Sequence, residues 1–244
     1  MRKACKRGIR KHLSLKVMRR ILRGQFAGVH VRSGNLTTTE SDNGSTLYFA
    51  NHVSAWDGAL AKFLTYYWLG QDPFVMTAEP MFPLAEWTGA FSVNPFDSFE
   101  VAKSIRYATE LLRSVPDCGL WIFPQGIATP YDQRPLGFKP GIGLLVRQIK
   151  AQVLVPVIFH YTFGSNSYPE VFVNFGQPCT IVANSNTDGL IADLERRTTN
   201  DLDQLNSDLH NGRLEEFETI ILRKPHQPLK SWERWRHKVC QRDR

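Results

Sequence analysis

Short apolar runs that alternate with helix-like stretches are the feature of this 244-residue sequence that most restricts its fold. The strand-like runs are Leu47–Ala50, Phe74–Met76, Gly89–Val93, Leu120–Phe123 and Val153–Phe159. The helical patterns cover Ala59–Leu69, Ser98–Leu112, Gly143–Lys150 and a long stretch from Gly189 to about Lys224. Strands separated by helices predict an α/β fold, with a mixed, mostly parallel β-sheet flanked by helices. The length suits a single domain.

Charge is distributed very unevenly along the chain. Residues 1–39 hold eleven Lys and Arg and no acidic residue, whereas the rest holds nineteen bases and twenty-three acids. We predict a basic N-terminal region at residues 1–33, a main domain at 34–225 and a basic tail containing Trp232 and Trp235 at 226–244. A basic block can face nucleic acid, anionic lipid or an acidic carrier protein. The tail can be a membrane-interface anchor or a packing helix.

Residues 9–22 have the pattern of a basic amphipathic helix. Its apolar residues recur about every four positions, with Lys and Arg between them: Ile9, Leu13, Val17, Ile21 and Leu22. Two interpretations stay open. The helix can lie on an anionic membrane surface, or it can bury its apolar stripe on the domain.

Other classes of protein are excluded by what the sequence lacks. The four cysteines are far apart, which argues against a zinc site, so we expect neither a metal nor a bound cofactor. No apolar stretch is long enough to cross a bilayer, and the basic start lacks the pattern of a secretory signal. No zinc-finger or aromatic-stacking signature indicates nucleic-acid binding. We therefore expect a cytoplasmic protein, peripheral on the membrane.

One histidine stands out for its surroundings. His52 follows Asn51 where a predicted strand passes into a helix, and Asp57 lies five residues further on. A histidine can take a proton from a hydroxyl near neutral pH, and a carboxylate beside it stabilises the imidazolium. Five residues of helix rotate by about 140°, so the two side chains need an irregular turn to meet. No Gly-x-Ser-x-Gly or reactive-cysteine signature supplies a nucleophile, which favours direct attack by a bound alcohol.

Several further motifs follow His52 in a fixed order. They are Phe123-Pro124-Gln125-Gly126, Phe138-Lys139-Pro140-Gly141, Val155-Pro156-Val157 and Phe175-Gly176-Gln177-Pro178. Together with Asn51-His52-(x4)-Asp57, this order resembles the glycerophosphate and lysophosphatidate acyltransferase superfamily, and Gln125 resembles its Phe-Pro-Gln-Gly subgroup. The resemblance covers roughly residues 47–181.

The resemblance implies an acyltransferase with this superfamily's fold. His52 would deprotonate an acceptor hydroxyl, which attacks the thioester of an acyl-CoA or acyl carrier protein, and Asp57 would orient His52. The candidate substrate-binding residues are Asn51, Phe123, Pro124, Gln125, Gly126, Arg134 and Lys139. Backbone amides, including the loop at Gly126, are candidates for holding the oxyanion.

The departures from the family pattern concern phosphate binding. Gln125 stands where the family has Glu, Ile127-Ala128 replace Thr-Arg, and Asn94-Pro95 replace Asp-Arg. Arginine is the side chain best suited to a phosphate, so these changes put a phosphate-bearing acceptor in doubt. A neutral alcohol is the resulting hypothesis. The alternative function is a non-catalytic lipid- or acyl-carrier-binding protein on the same fold.

Overall fold

Eight strands and five helices make up the computed structural model, which describes residues 1–6, 8–34, 44–78, 85–149, 153–164, 167–179 and 186–223. The helices are α1 (Gly8–Gln25), α2 (Asp57–Tyr67), α3 (Ser98–Ser114), α4 (Gly141–Gln148) and α5 (Thr187–His210), with a short 3-10 helix at Ala85–Thr88. The strands are β1 (Gly28–Arg32), β2 (Thr46–Ala50), β3 (Asp72–Thr77), β4 (Ala90–Ser92), β5 (Cys118–Ile122), β6 (Val153–Thr162), β7 (Glu170–Phe175) and β8 (Glu218–Leu222).

The strands form one sheet in the order β4-β3-β5-β2-β6-β7-β1-β8. Five of the seven neighbouring pairs are parallel, and the β6–β7 and β1–β8 pairs are antiparallel. The predicted fold class, a mixed and mostly parallel sheet flanked by helices, is therefore confirmed. Because β2 and β5 are parallel neighbours, the loops that leave their carboxyl ends meet at one edge of the sheet.

Helices cover both faces of the sheet. α1 and α2 pack on one face, and α3, α4 and α5 pack on the other. In β5, Trp121 packs in the core on the side of α1 and α2, whereas Leu120 and Ile122 pack in the core on the side of α3, α4 and α5. Successive side chains of a strand point to opposite faces of the sheet. Burial on both faces explains why the central strands are continuous apolar runs rather than alternating ones.

The five predicted strand runs correspond to β2–β6, but the end of the chain differs from its prediction. α5 ends at His210, and Gly212, with a φ of +67°, lies in the left-handed region that ends helices. β8 then pairs antiparallel with β1, so residues 218–222 are not helical as predicted. Its Thr-Ile-Ile core consists of β-branched residues, which favour strands.

Three strands, β1, β7 and β8, were not among those predicted. β1 falls within the basic segment 1–33 and pairs with both other strands. That segment therefore supplies one strand of the main sheet. The limits of the predicted domains stay predictions, and the tail at 226–244 lies outside the described residues.

α1 docks on the domain with a different face from the one predicted. Leu15 and Leu22 are fully buried. Four of the five stripe residues are exposed: Ile9 by 86%, Leu13 by 61%, Val17 by 44% and Ile21 by 36%. The interpretation that the whole stripe is buried is therefore wrong. Ion pairs from Lys6 and Lys11 to Asp72 help to hold the start of the chain in place.

Candidate active site

The turn between β2 and α2 brings His52 and Asp57 together. The Nδ1 atom of His52 lies 2.7 Å from Oδ2 of Asp57. Asp57 is the first residue of α2, and its side chain folds back over the turn, where Oδ2 also accepts the backbone N–H groups of Val53 at 2.8 Å and Ser54 at 2.9 Å. The irregular turn thus provides the approach that five residues of regular helix would not.

The Asp57 carboxylate is enclosed, whereas the histidine is accessible. The Asp57 side chain is 0% exposed and the His52 side chain is 23% exposed. Because the carboxylate faces Nδ1, we assign the proton of neutral His52 to that nitrogen. Nε2 has no hydrogen-bond partner in the described part of the chain and remains available as a proton acceptor.

The loop after β5 holds His52 from both sides. Oε1 of Gln125 accepts the backbone N–H of His52 at 2.6 Å, and the backbone N–H of Thr129 donates to the His52 carbonyl at 2.9 Å. The Gln125 amide also donates to Thr129 Oγ1 at 2.5 Å, which closes the arrangement. The Phe123 ring lies beside the imidazole, with ring centroids 4.7 Å apart. Phe123 and Gln125 therefore contact His52 itself.

Other predicted site residues have architectural contacts. The buried Asn51 amide pairs with both the N–H and the carbonyl of Phe159, which extends the β2–β6 pairing by one residue. The Pro124 carbonyl accepts the N–H of Lys139. The N–H of Gly126 donates to the Phe123 carbonyl at 3.0 Å, so this turn already uses the amide that we considered for the oxyanion.

A cavity of about 410 Å³ opens beside the turn. Val53 and Ser54 of the turn and Thr129 of the facing loop line one side of it. Six aromatic residues provide most of the rest: Phe26, Trp56, Tyr131, Tyr161, Phe163 and Tyr168. Its described lining contains no charged side chain, which suits an apolar chain better than a charged group.

The described residues offer neither a metal site nor a membrane-spanning helix. They contain no cluster of three or more His, Cys, Asp or Glu side chains placed to hold a metal ion. Within the same ranges, none of the helices has the length and apolar character needed to cross a membrane.

The family model called Acyltransferase matches residues 29–160, which is more than half of the chain and contains the His52 turn and the loop after β5. This chain is an acyltransferase. The match also explains the similarity of its motifs to those of the glycerophosphate acyltransferase superfamily.

The fold of the acyltransferase is similar to that of a solved enzyme. The crystal structure is that of the 1-acyl-sn-glycerophosphate acyltransferase PlsC from Thermotoga maritima, with a TM-score of 0.56 and 16% sequence identity. The match covers 80% of this chain and 79% of that one. A comparison with curated proteins found no match.

The two basic residues predicted to bind substrate differ in their surroundings. Arg134 forms an ion pair with Asp203 of α5 at 2.5 Å and donates to the carbonyls of Tyr131 and Gln133. Lys139 is exposed and forms no ion pair with any described residue, and its side chain passes close to Gly126. Of the two, Lys139 is the cation that remains available to an anionic substrate.

The positions where the family carries arginine are exposed and uncharged in this acyltransferase. Ile127 is 59% exposed, and Ala128, Asn94 and Pro95 are also exposed. Nearby, Phe96 is 92% exposed. These positions therefore present apolar or neutral groups to solvent.

Sequence reasoning missed two residues that contact the pair or its turn. Thr129 holds the His52 backbone, and the hydroxyl of Tyr161 donates to Oδ1 of Asp57 at 2.5 Å. Tyr161 lies 104 positions after Asp57, so no local spacing indicates the contact. The only signal is its position on β6, four residues after the Val-Pro-Val motif and on the same face as Val157.

Proposed function

We propose that this acyltransferase transfers a fatty acyl group from a thioester, acyl-CoA or an acyl carrier protein, to a hydroxyl of a lipid or lipid-like acceptor. His52 is the general base and Asp57 orients it. The observation that supports this assignment is the 2.7 Å contact between Nδ1 of His52 and a fully buried carboxylate, with Nε2 left available.

In the proposed reaction, Nε2 takes the proton of the acceptor hydroxyl as its oxygen attacks the thioester carbonyl. The imidazolium that forms is stabilised by Asp57. The tetrahedral intermediate then expels the thiolate and the new ester bond remains. The imidazolium returns its proton to the sulfur, which regenerates neutral His52 and releases the free thiol.

Replacement of the base tests the proposal. We expect His52→Ala to lower kcat by about 10²- to 10⁴-fold, because a general base contributes that much. The thermal unfolding temperature should stay near that of wild type, since the imidazole is partly exposed. His210→Ala, at the exposed end of α5, is the matched control and should retain full activity. Equal thioester turnover by wild type and His52→Ala would contradict the proposal and would favour a non-catalytic lipid-binding protein.

We also propose that the acceptor is a neutral alcohol. PlsC is named for an acceptor that carries a phosphate. In this chain the exposed Ile127 and Ala128 provide no charge to hold a phosphate, and Arg134 is paired with Asp203. The aromatic cavity beside the turn has room for an apolar acyl or acceptor chain.

A direct comparison of acceptors tests this second proposal. Purified enzyme should use a monoacylglycerol with a higher kcat/KM than lysophosphatidate of the same chain length. Both assays use the same acyl donor, so the difference reports only the acceptor headgroup. A strong preference for lysophosphatidate would overturn the neutral-acceptor proposal and leave the acyl transfer itself intact.

The third proposal is that α1 binds an anionic membrane surface. The exposed residues Ile9, Leu13, Val17 and Ile21 form a row along the helix, with basic residues on both sides of it. Such a helix lies in the membrane interface with its apolar row inserted. The cavity includes Gln25 and Phe26 at the end of α1, so membrane binding would bring the cavity close to lipid.

Vesicle binding tests the role of α1. Leu13→Glu with Val17→Glu should weaken binding to anionic vesicles at least tenfold, since two inserted apolar side chains are lost. Wild-type binding should fall with added salt and on purely zwitterionic vesicles. Leu144→Glu, an exposed apolar position on α4 across the sheet, is the matched control. Unchanged binding by the double variant would contradict the proposal.

A further inference from the structure

The second oxygen of the Asp57 carboxylate has a partner from a distant strand. Oδ2 accepts the hydrogen bonds of His52, Val53 and Ser54, whereas Oδ1 accepts only the Tyr161 hydroxyl, at 2.5 Å, within the described ranges. A carboxylate with no exposed surface needs donors for both oxygens, because an unpaired buried lone pair costs free energy. Tyr161 therefore completes the coordination of the carboxylate.

Tyr161 is held on a rigid element. It lies on β6, where it pairs with Val171 of β7 in the antiparallel ladder. Phe26 packs against its ring, with centroids 6.0 Å apart. The hydroxyl therefore approaches Asp57 from a fixed direction, independent of the turn that carries His52.

The hydroxyl keeps its proton in the conditions of the reaction. Burial raises the pKa of Tyr161 well above its ordinary value, and the negative charge of Asp57 raises it further. The tyrosine is therefore a donor, never an acceptor, toward Asp57 across the neutral pH range. A lasting donor on Oδ1 fixes the plane of the carboxylate and draws part of its negative charge away from Oδ2.

We propose that Tyr161 is a positioning residue of the active site, which holds the Asp57 carboxylate so that Oδ2 faces Nδ1 of His52. This inference rests on the proposed function, because it assigns Tyr161 a role through the His52–Asp57 pair. The tyrosine itself performs no step of acyl transfer.

The groups around the pair make the effect of Tyr161 measurable. Among the described residues, Tyr161 from β6 is the only other ionisable side chain that hydrogen-bonds to the His52–Asp57 pair. Lys139 is the exposed cation whose side chain passes Gly126 on the loop after β5. Loss of the Tyr161 donor should concentrate negative charge on Oδ2 and favour the imidazolium.

The test compares two Tyr→Phe variants. Tyr161→Phe should lower kcat by about ten- to a hundredfold, the effect of one hydrogen bond to a charged group, with KM changed by less than about threefold. The acidic limb of its kcat profile should move to higher pH. Tyr48→Phe is the matched control, because the buried Tyr48 hydroxyl also donates one hydrogen bond, at 2.7 Å to Gln71, away from the pair. Its pH profile should match that of wild type.

A measurement without turnover separates the two proposals. The ¹⁵N chemical shifts of the His52 imidazole should report a proton on Nδ1 in both proteins, and the imidazolium should persist to a higher pH in Tyr161→Phe than in wild type. An unmoved pH profile and an unmoved ¹⁵N titration of His52 in Tyr161→Phe, with His52→Ala inactive, would overturn the role of Tyr161 alone. Full activity of His52→Ala would instead overturn the proposed function.

Discussion

The turn at His52 and the loops after β4 and β5 differ in how their polar groups are used. In the turn, Asp57 is fully buried and accepts four hydrogen bonds. In the loops after β4 and β5, Phe96 and Ile127 are largely exposed, and the family's arginine positions carry uncharged residues. One region is enclosed and densely bonded, and the other is open and neutral.

This difference separates the requirements of the reaction from those of the substrate. A base and its carboxylate need a fixed geometry, which buried hydrogen bonds from several elements supply. Recognition of a headgroup depends on a few exposed side chains, which can change without disturbing that geometry. The enclosed turn agrees with the proposed acyl transfer, and the open, uncharged loops agree with the proposed neutral acceptor.

The largest effect should come from the buried carboxylate. Asp57→Asn keeps the shape of the side chain but removes the charge that stabilises the imidazolium, so kcat should fall by at least about 10²-fold. KM should change little, because the carboxylate has no exposed surface from which to contact substrate. Steady-state kinetics measure both constants. A variant with near-normal kcat would show that the dense bonding of the turn is structural only.

The next effect concerns the residue that joins the two regions. Gln125→Ala removes the partner of the His52 N–H and of Thr129, and should lower the free energy of unfolding by about 1–3 kcal/mol and kcat by about tenfold. Gln125→Glu retains the acceptor for His52, so it should keep more of the activity. Chemical denaturation and kcat of both variants provide the measurement. Equal losses in both would show that the amide, not the acceptor oxygen, matters.

A gain of function would sharpen the comparison further. Ile127→Thr with Ala128→Arg restores the family's residues on an exposed loop, and should raise kcat/KM for lysophosphatidate by about tenfold through a charged hydrogen bond to phosphate. The value for a monoacylglycerol should remain unchanged. Ala128→Gln is the control for side-chain size without charge. No gain for lysophosphatidate would indicate that other parts of the site exclude it.

The smallest effect should separate the two cations of the facing loop. Arg134→Ala loses a partly exposed ion pair with Asp203, which contributes about 1 kcal/mol or less to stability, and should leave KM unchanged. Lys139→Ala should raise KM for acyl-CoA a few-fold, since its ammonium is available to a phosphate of the donor. Thermal unfolding and KM measure the two effects. A larger change in KM for Arg134→Ala would reverse their roles.

Local patterns predicted most of the parallel part of the fold. The strands β2–β6 and the helices between them were identified because burial on both faces makes central strands continuous apolar runs. The strands β1, β7 and β8 were missed. The β8 sequence continues a region of helical periodicity, and only its pairing with β1 makes it a strand. Likewise, the spacing of apolar residues in α1 indicated a stripe but not which residues it would bury.

The order of motifs and the residue types of the site can be read from the amino acids alone: a histidine, an aspartate five positions later and uncharged residues where the family has arginine. Those properties depend on the residues alone. Which atoms come into contact depends on how the chain folds. The turn folds Asp57 back onto His52, Gln125 clamps the histidine backbone, and Tyr161 reaches the carboxylate from β6. Contacts between residues far apart in the chain depend on the order and register of the strands, and the spacing of residues within a short segment does not specify either.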